Sequence, residues 1–295
     1  MTIALEEFAI ELISPEGIEK LSYFPNLLLV ILVLALMWVG KKVFDLFAGY
    51  SLEYQLVKAD NKAIAITFVG YMGGVAAILE GVLSGPAESL LDELLLVCVW
   101  GVIGIFLLNF AGKFNNRFVL SHFDNKKELL EKHNIGVGAV VAGSYLGSAM
   151  IIRSIITGES LGWMADITLT LAYFLLAQFT FLLYSRLYQK IIRYDFHQEL
   201  KEGNVAAGVS FGINLVAMGI LLAVPLSSSF SLLLFLAWFV LGSAVLAFFR
   251  FVMDRIIIPL ENLDEEIHQD QNWGVALLEG CFSLAAVVVL QTIFT

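Results

Sequence analysis

Residues 127–156 read KELLEKHNIGVGAVVAGSYLGSAMIIRSII, a charged lead-in that turns apolar at Asn134 and stays apolar. Three further stretches follow the same plan: ADNKAIAITFVGYMGG at 59–74, EGNVAAGVSFGINLVA at 202–217 and DQNWGVALLEGCFSLA at 270–285. Their pivots, Asn61, Asn134, Asn204 and Asn272, are spaced by 73, 70 and 68 residues. Counted from each pivot, position +2 holds Ala63, Gly136, Ala206 and Gly274, and position +4 holds Ala65, Gly138, Gly208 and Ala276. Position +13 holds Gly74, Gly147, Ala217 and Ala285, so all three positions carry only small residues. A fourfold internal repeat is the first conclusion.

Composition says where such a chain can live. Of its 295 residues 59% are apolar and 15% charged, with a mean hydropathy of +0.84, which is more apolar surface than a soluble core of this size needs. A net charge of -10 without a basic stripe argues against nucleic-acid binding. Cys98 and Cys281 lie in apolar runs without ligand spacing and read as small packing residues, not a disulfide or metal pair. The first residues carry acids where a secretory signal carries Lys or Arg, so no cleaved signal peptide is expected.

Residues 3–13 place Ile3, Leu5, Phe8, Ile10, Leu12 and Ile13 among Glu6, Glu7 and Glu11, the pattern of an amphipathic helix lying on a membrane. Eight apolar segments follow, near 22–40, 61–84, 90–112, 134–157, 163–185, 204–226, 230–252 and 272–294. Each is close to the ~20 residues that cross ~30 Å of hydrocarbon. Long polar connections follow the odd segments and tight turns follow the even ones. The long connections hold all of the basic residues except Lys20 and Arg153. The positive-inside rule therefore puts them in the cytoplasm, and both termini on the outer, periplasmic side. The lead-ins look helical, and each even helix is expected to project through its Asn into the cytoplasm. Those pivots either cap and cross-link backbone groups or touch a ligand.

Odd segments are thick with Leu, Val, Phe and Trp. Even segments carry stripes of small residues, including Gly70 and Gly74, Gly143 and Gly147, Gly208 and Gly212, and Ala276 and Gly280. Such stripes let helix backbones approach where no hydrophobic effect drives association. The fold class that follows is all-α and polytopic, with eight transmembrane helices as two parallel four-helix repeats, built from four quasi-equivalent hairpins with the even helices inside. Four hairpins around a centre, or two halves around a two-fold, both satisfy this pattern. The division expected is 1–24 amphipathic, 25–158 first membrane repeat and 159–295 second.

The even helices, with an acid ahead of Asn-x-small-x-small and a glycine ladder behind it, resemble the YjfL-type bacterial inner-membrane proteins, a domain of unknown function with four crossings. Here that domain would occur twice. The resemblance implies a bacterial inner-membrane location and work beside cytoplasmic ligase-type enzymes; it supplies no site residues.

Ionisable groups inside a span invite a functional reading. Glu279 lies seven residues past Asn272, about 10 Å in by helical rise. It is either protonated and hydrogen-bonded or lines a wet cavity that binds or relays a cation. Glu80 and Arg153 each lie 19 residues past their pivots, about 28 Å along the helix. They form an outer ion pair or snorkel separately to the headgroups. Asn214 near the midplane, with Gln178 and Asn109 on odd helices, is expected to bond between helices. His122, His133, His197 and His268 fall in the connections and read as solvated surface groups.

No metal-ligand spacing, nucleophile elbow, phosphate loop or dinucleotide fingerprint is present, so no cofactor and no catalysis are expected. Two functions stand ahead of an intramembrane enzyme. The leading one is a channel or transporter-like conduit for a small ion or solute, with Glu279, Glu80, Arg153 and Asn214 along its path or gate. The other is a non-catalytic scaffold docking a cytoplasmic protein through lead-in charges such as Glu128, Glu131, Glu199 and Glu266. A homo-oligomer fits either.

Overall fold

The computed structural model describes residues 24–87, 89–121, 124–157, 162–228 and 230–294. The amphipathic stretch at 3–13 and His122 lie outside them. Within the described residues all regular structure is helical, and eight helices are long and apolar enough to cross a membrane. The chain is a multi-pass membrane protein.

The helices fall into four triplets, each made of a long outer helix, a short helix and an inner helix. The outer helices are α1 (Phe24–Ala48), α4 (Leu90–Phe118), α7 (Trp163–Ile191) and α10 (Leu232–Val252), the last extended by a π-helical turn at Met253–Ile257. The short ones are α2 (Leu52–Val57), α5 (Asn125–Leu130), α8 (Phe196–Glu202) and α11 (Leu263–His268). The inner ones are α3 (Lys62–Leu83), α6 (Ile135–Ile156), α9 (Val205–Ser228) and α12 (Trp273–Phe294).

Local chemistry explains the triplet. Ser51, Asp124, Asp195 and Asn262 cap the short helices by accepting backbone N–H bonds. Asp60, His133, Gly203 and Gln271, the residues just before the pivots, all take left-handed backbone, with φ of 47°, 52°, 89° and 49°. Only Gly203 adopts it without a Cβ penalty. The lead-in therefore breaks there and a new helix starts at each Asn. This corrects the expected continuous projection: the inner helices begin at the pivot, and each lead-in is a separate helix. The outer helices α1, α4 and α7 instead run past the expected ends at 40, 112 and 185, because Lys41, Lys113 and Arg186 continue the helix instead of ending it.

Three of the pivots bond in three directions and Asn272 in two. Each Oδ1 accepts the N–H three residues on: Ile64 at 3.1 Å, Val137 at 3.1 Å, Ala207 at 3.1 Å and Val275 at 3.2 Å. Each Nδ2 donates backward to Gln55, Glu128, Glu199 or Glu266 in its own short helix. In the first three units Nδ2 also donates to a carbonyl of the next short helix, Leu129 at 2.8 Å, Leu200 at 2.6 Å and Ile267 at 2.7 Å. These side chains staple each unit to its successor. Asn272 has no successor, and it is exposed where the other three are buried.

The small positions have a matching cause. A Cβ on Gly138 would stand 2.6 Å from the Ala63 carbonyl oxygen, and one on Gly136 would stand 2.5 Å from that of Asn204. Gly70 lies on the backbone of Ala142, Gly143 on Gly212, Gly147 on Leu215, and Gly208 on Gly136; Gly212 faces Ala139 and Gly280 faces Ile213. Gly74 meets Ala149 and Tyr145, and Ala276 is fully buried. Position +2 of one unit thus sits against +4 of the next, backbone on backbone, in parallel helices.

The inner helices touch in chain order, α3 on α6, α6 on α9 and α9 on α12, and the outer ones line up beside them from α1 to α10. No comparable contact joins α12 to α3. The four hairpins form an open two-layer row, not a ring about a centre. Even helices are inner only in the middle of that row: α6 and α9 bury 78% and 83% of their apolar windows, but α12 buries 28%, the same as the outer helix α10. Cys98 and Cys281 are free and exposed, contrary to a packing role.

If the staples hold the row together, Asn204→Ala should cost about 2–3 kcal/mol, the sum of one cap and two buried hydrogen bonds. Asn272→Ala, at the open end, should cost about 1 kcal/mol. Chemical denaturation in detergent compares the two; equal losses would refute the staple.

Candidate functional site

The charged side chains Glu80, Arg153 and Glu279 of the inner helices fall at two places on different seams. The larger lies between α9 and α12. Glu279 is fully buried there, accepting from Ser210 Oγ at 2.6 Å and from Asn214 Nδ2 at 3.3 Å. Arg250 Nη1 donates to the same carboxylate at 3.2 Å, and its Nη2 donates to Asp264 at 2.6 Å. Only 6% of Arg250 is exposed, and its guanidinium carbon lies 5.7 Å from the centre of the Tyr188 ring. Tyr188 and Ser210 share a hydrogen bond of 2.9 Å, and the Tyr184 hydroxyl donates to Asn214 Oδ1 at 3.4 Å.

Glu279 is thus hydrogen-bonded to Ser210 and Asn214 and shares its carboxylate with the buried Arg250. Arg250, expected in a connection, instead lies within α10 and is buried. The network reaches the short helices through a parallel set: His268 Nδ1 meets Glu199 at 2.6 Å, and Glu199 accepts from Asn204 at 2.6 Å. His268 stacks on Tyr194 with rings 6.1 Å apart, so this histidine is not merely solvated.

The smaller place is at the opposite end of the α3–α6 seam. Arg153 donates through both Nε and Nη2 to Glu80, the second bond being 2.9 Å, so the two residues pair across the helices. More than half of the Glu80 side chain is exposed, which makes this a clasp of modest strength. Glu279 and Asn214 therefore meet one another, as do Glu80 and Arg153, and the two groups lie on different seams. Gln178 bonds Asn115 at 3.2 Å and Asn109 bonds Tyr71 at 2.8 Å, the interhelical roles expected of amides. Glu128 and Glu199, expected as docking charges, are buried and serve the staples instead. Among the described residues no group of three or more His, Cys, Asp or Glu could hold a metal ion.

The buried pair makes a prediction. Arg250→Met strands Glu279 and Asp264 and should cost roughly 3–5 kcal/mol, and Arg250→Met with Glu279→Gln should recover most of it. A double-mutant cycle by denaturation checks this; additive losses would refute the pairing.

Comparison with known proteins agrees with this architecture. The family described as Domain of Unknown Function (DUF350) matches the chain twice, over residues 20–156 and 162–294. A UPF0719 transmembrane protein of Aquifex aeolicus (strain VF5) is 22% identical over 271 residues, covering 88% of this chain and 97% of that protein. No solved structure matches. The chain belongs to the DUF350 family and carries its domain in tandem.

Proposed function

We propose that this member of an uncharacterised membrane family is a non-catalytic scaffold of the bacterial inner membrane, presenting a stapled shelf of short helices to a cytoplasmic partner. The observation that carries the reading is the closure of the inner seams. Glycine backbones in those seams meet their neighbours with no room for even a methyl group, and Glu279 and Glu80 of the inner helices are each paired with an arginine. A conduit through one chain would require those seams to part. A scaffold needs the reverse, a rigid base, and three buried Asn staples fix the short helices to each other at the membrane face.

The basic residues on its connections support a cytoplasmic placement of the shelf. Exposed acids available for docking on these connections include Glu131, Glu202 and Glu265.

Liposomes loaded with ion-sensitive dyes should show no flux of K⁺, Na⁺, Cl⁻ or H⁺ above empty vesicles when the purified protein is inserted. A flux that Glu279→Gln abolishes would overturn the scaffold and establish a conduit.

A further inference from the structure

The two halves of the chain differ at one spot in a way that leaves a cavity. In the second half the seam between the third and fourth units is filled by Arg250, Glu279 and Asp264. Counted from the pivots, Gly112 stands where Arg250 does, 22 residues before, and Val141 stands where Glu279 does, seven after. Lys126 replaces Asp264, both eight residues before, and Thr67 answers to Ser210, both six after. The first half thus loses the ion pair that fills the second. Tyr145 packs onto Gly112 and takes part of the space. The remainder is a cavity of about 520 Å³, which both Thr67 and Val141 line.

Its chemistry is unbalanced. Lys113, Arg117 and Lys126 line it against a single acid, Asp124, which is occupied as the cap of α5. Thr67, Asn109 and Asn125 line the same cavity, and their buried Oγ1, Oδ1 and Oδ1 atoms have no hydrogen-bond partner among the described residues. Orphaned buried oxygens are costly and require an explanation. Two of the three can only accept, so an anion alone would leave them unsatisfied; they call for hydroxyl donors. Phe44, Phe47 and Tyr50 supply an apolar wall. Burial, and then the charge of Asp45, push the Tyr50 phenol above its ordinary range, so its hydroxyl keeps its proton. The volume falls among those of small-molecule clefts, roughly 300–1,000 Å³.

We infer that this cavity binds a phosphorylated polyol, with the phosphate held by Lys113, Arg117 and Lys126 and the hydroxyls by Thr67, Asn109 and Asn125. That chemistry is shared by the headgroup of a phosphatidylglycerol lipid and by free glycerol phosphate. The assignment does not rest on the scaffold reading and stands or falls separately from it.

The experiment uses the full chain in nanodiscs. In one arm the discs contain phosphatidylcholine with either phosphatidylglycerol or phosphatidic acid, and lipid retained on the protein is read by native mass spectrometry. In the other they contain phosphatidylcholine alone, and sn-glycerol 3-phosphate is titrated by calorimetry. Phosphatidylglycerol should be retained about fivefold over phosphatidic acid, which lacks the polyol, and Thr67→Val should remove most of that preference. Lys113→Ala with Lys126→Asp, the latter copying the charge of the second half, should lower binding at least tenfold. Lys58→Ala, exposed and outside the cavity, should change nothing. Binding in the first arm alone assigns the site to lipid, and binding of the free phosphate assigns it to a soluble ligand. No binding in either arm, or binding indifferent to Lys113 and Lys126 in variants whose melting profile is intact, overturns the site; equal retention of the two lipids overturns the polyol.

Discussion

One side-chain amide per unit governs this structure. An Asn at the head of an inner helix caps that helix with its oxygen and spends both N–H bonds on short helices, its own and the next. Membrane interiors offer no hydrophobic drive between helices, so register has to come from close packing and a few polar contacts. The Asn sets the height of each helix relative to its neighbour. Once the height is set, a small residue at +2 meets a small residue at +4 and the backbones close. The short helices, tethered twice, become part of the frame and not a loose connection.

The same logic leaves the row with ends. Gly274, Cys281 and Ala285 on α12 occupy positions that are buried on α6, yet all three are exposed. Repetition of one local interface has no built-in stop; closure into a ring would need a particular rotation per unit, and these four units do not bring α12 onto α3. The two halves have also diverged inside a common frame. One uses Arg250 and Glu279 to fill its polar seam, and the other keeps an open basic cavity at the equivalent place.

Much of the frame was legible in the chain because periodicity and residue size report directly on helix contacts. The pivots, the small positions and the split between bulky and glycine-bearing helices are all properties of side chains. What stayed hidden involves the backbone or long-range order. The staple acceptors are the carbonyls of Leu129, Leu200 and Ile267, and a carbonyl looks the same in every residue. The break at Asp60, His133 and Gln271 was invisible because only Gly203 advertises a left-handed turn. Arg250 was counted with surface cations, since a basic residue near a span end ordinarily snorkels to water. Whether the row closes could not be read either, as every seam follows the same local rule.

The open row is the central claim, and disulfide trapping tests it most directly. In a Cys98→Ser background, Ser154→Cys with Ala223→Cys joins α6 to α9, where Ser154 Oγ already lies 2.6 Å from the Ala223 carbonyl oxygen. Val69→Cys faces outward on α3, and the native Cys281 faces outward on α12. The account predicts that oxidation links 154 to 223 within a chain and leaves 69 and 281 unlinked within a chain. An intramolecular link between 69 and 281 would mean that the last unit returns to the first, and would contradict it.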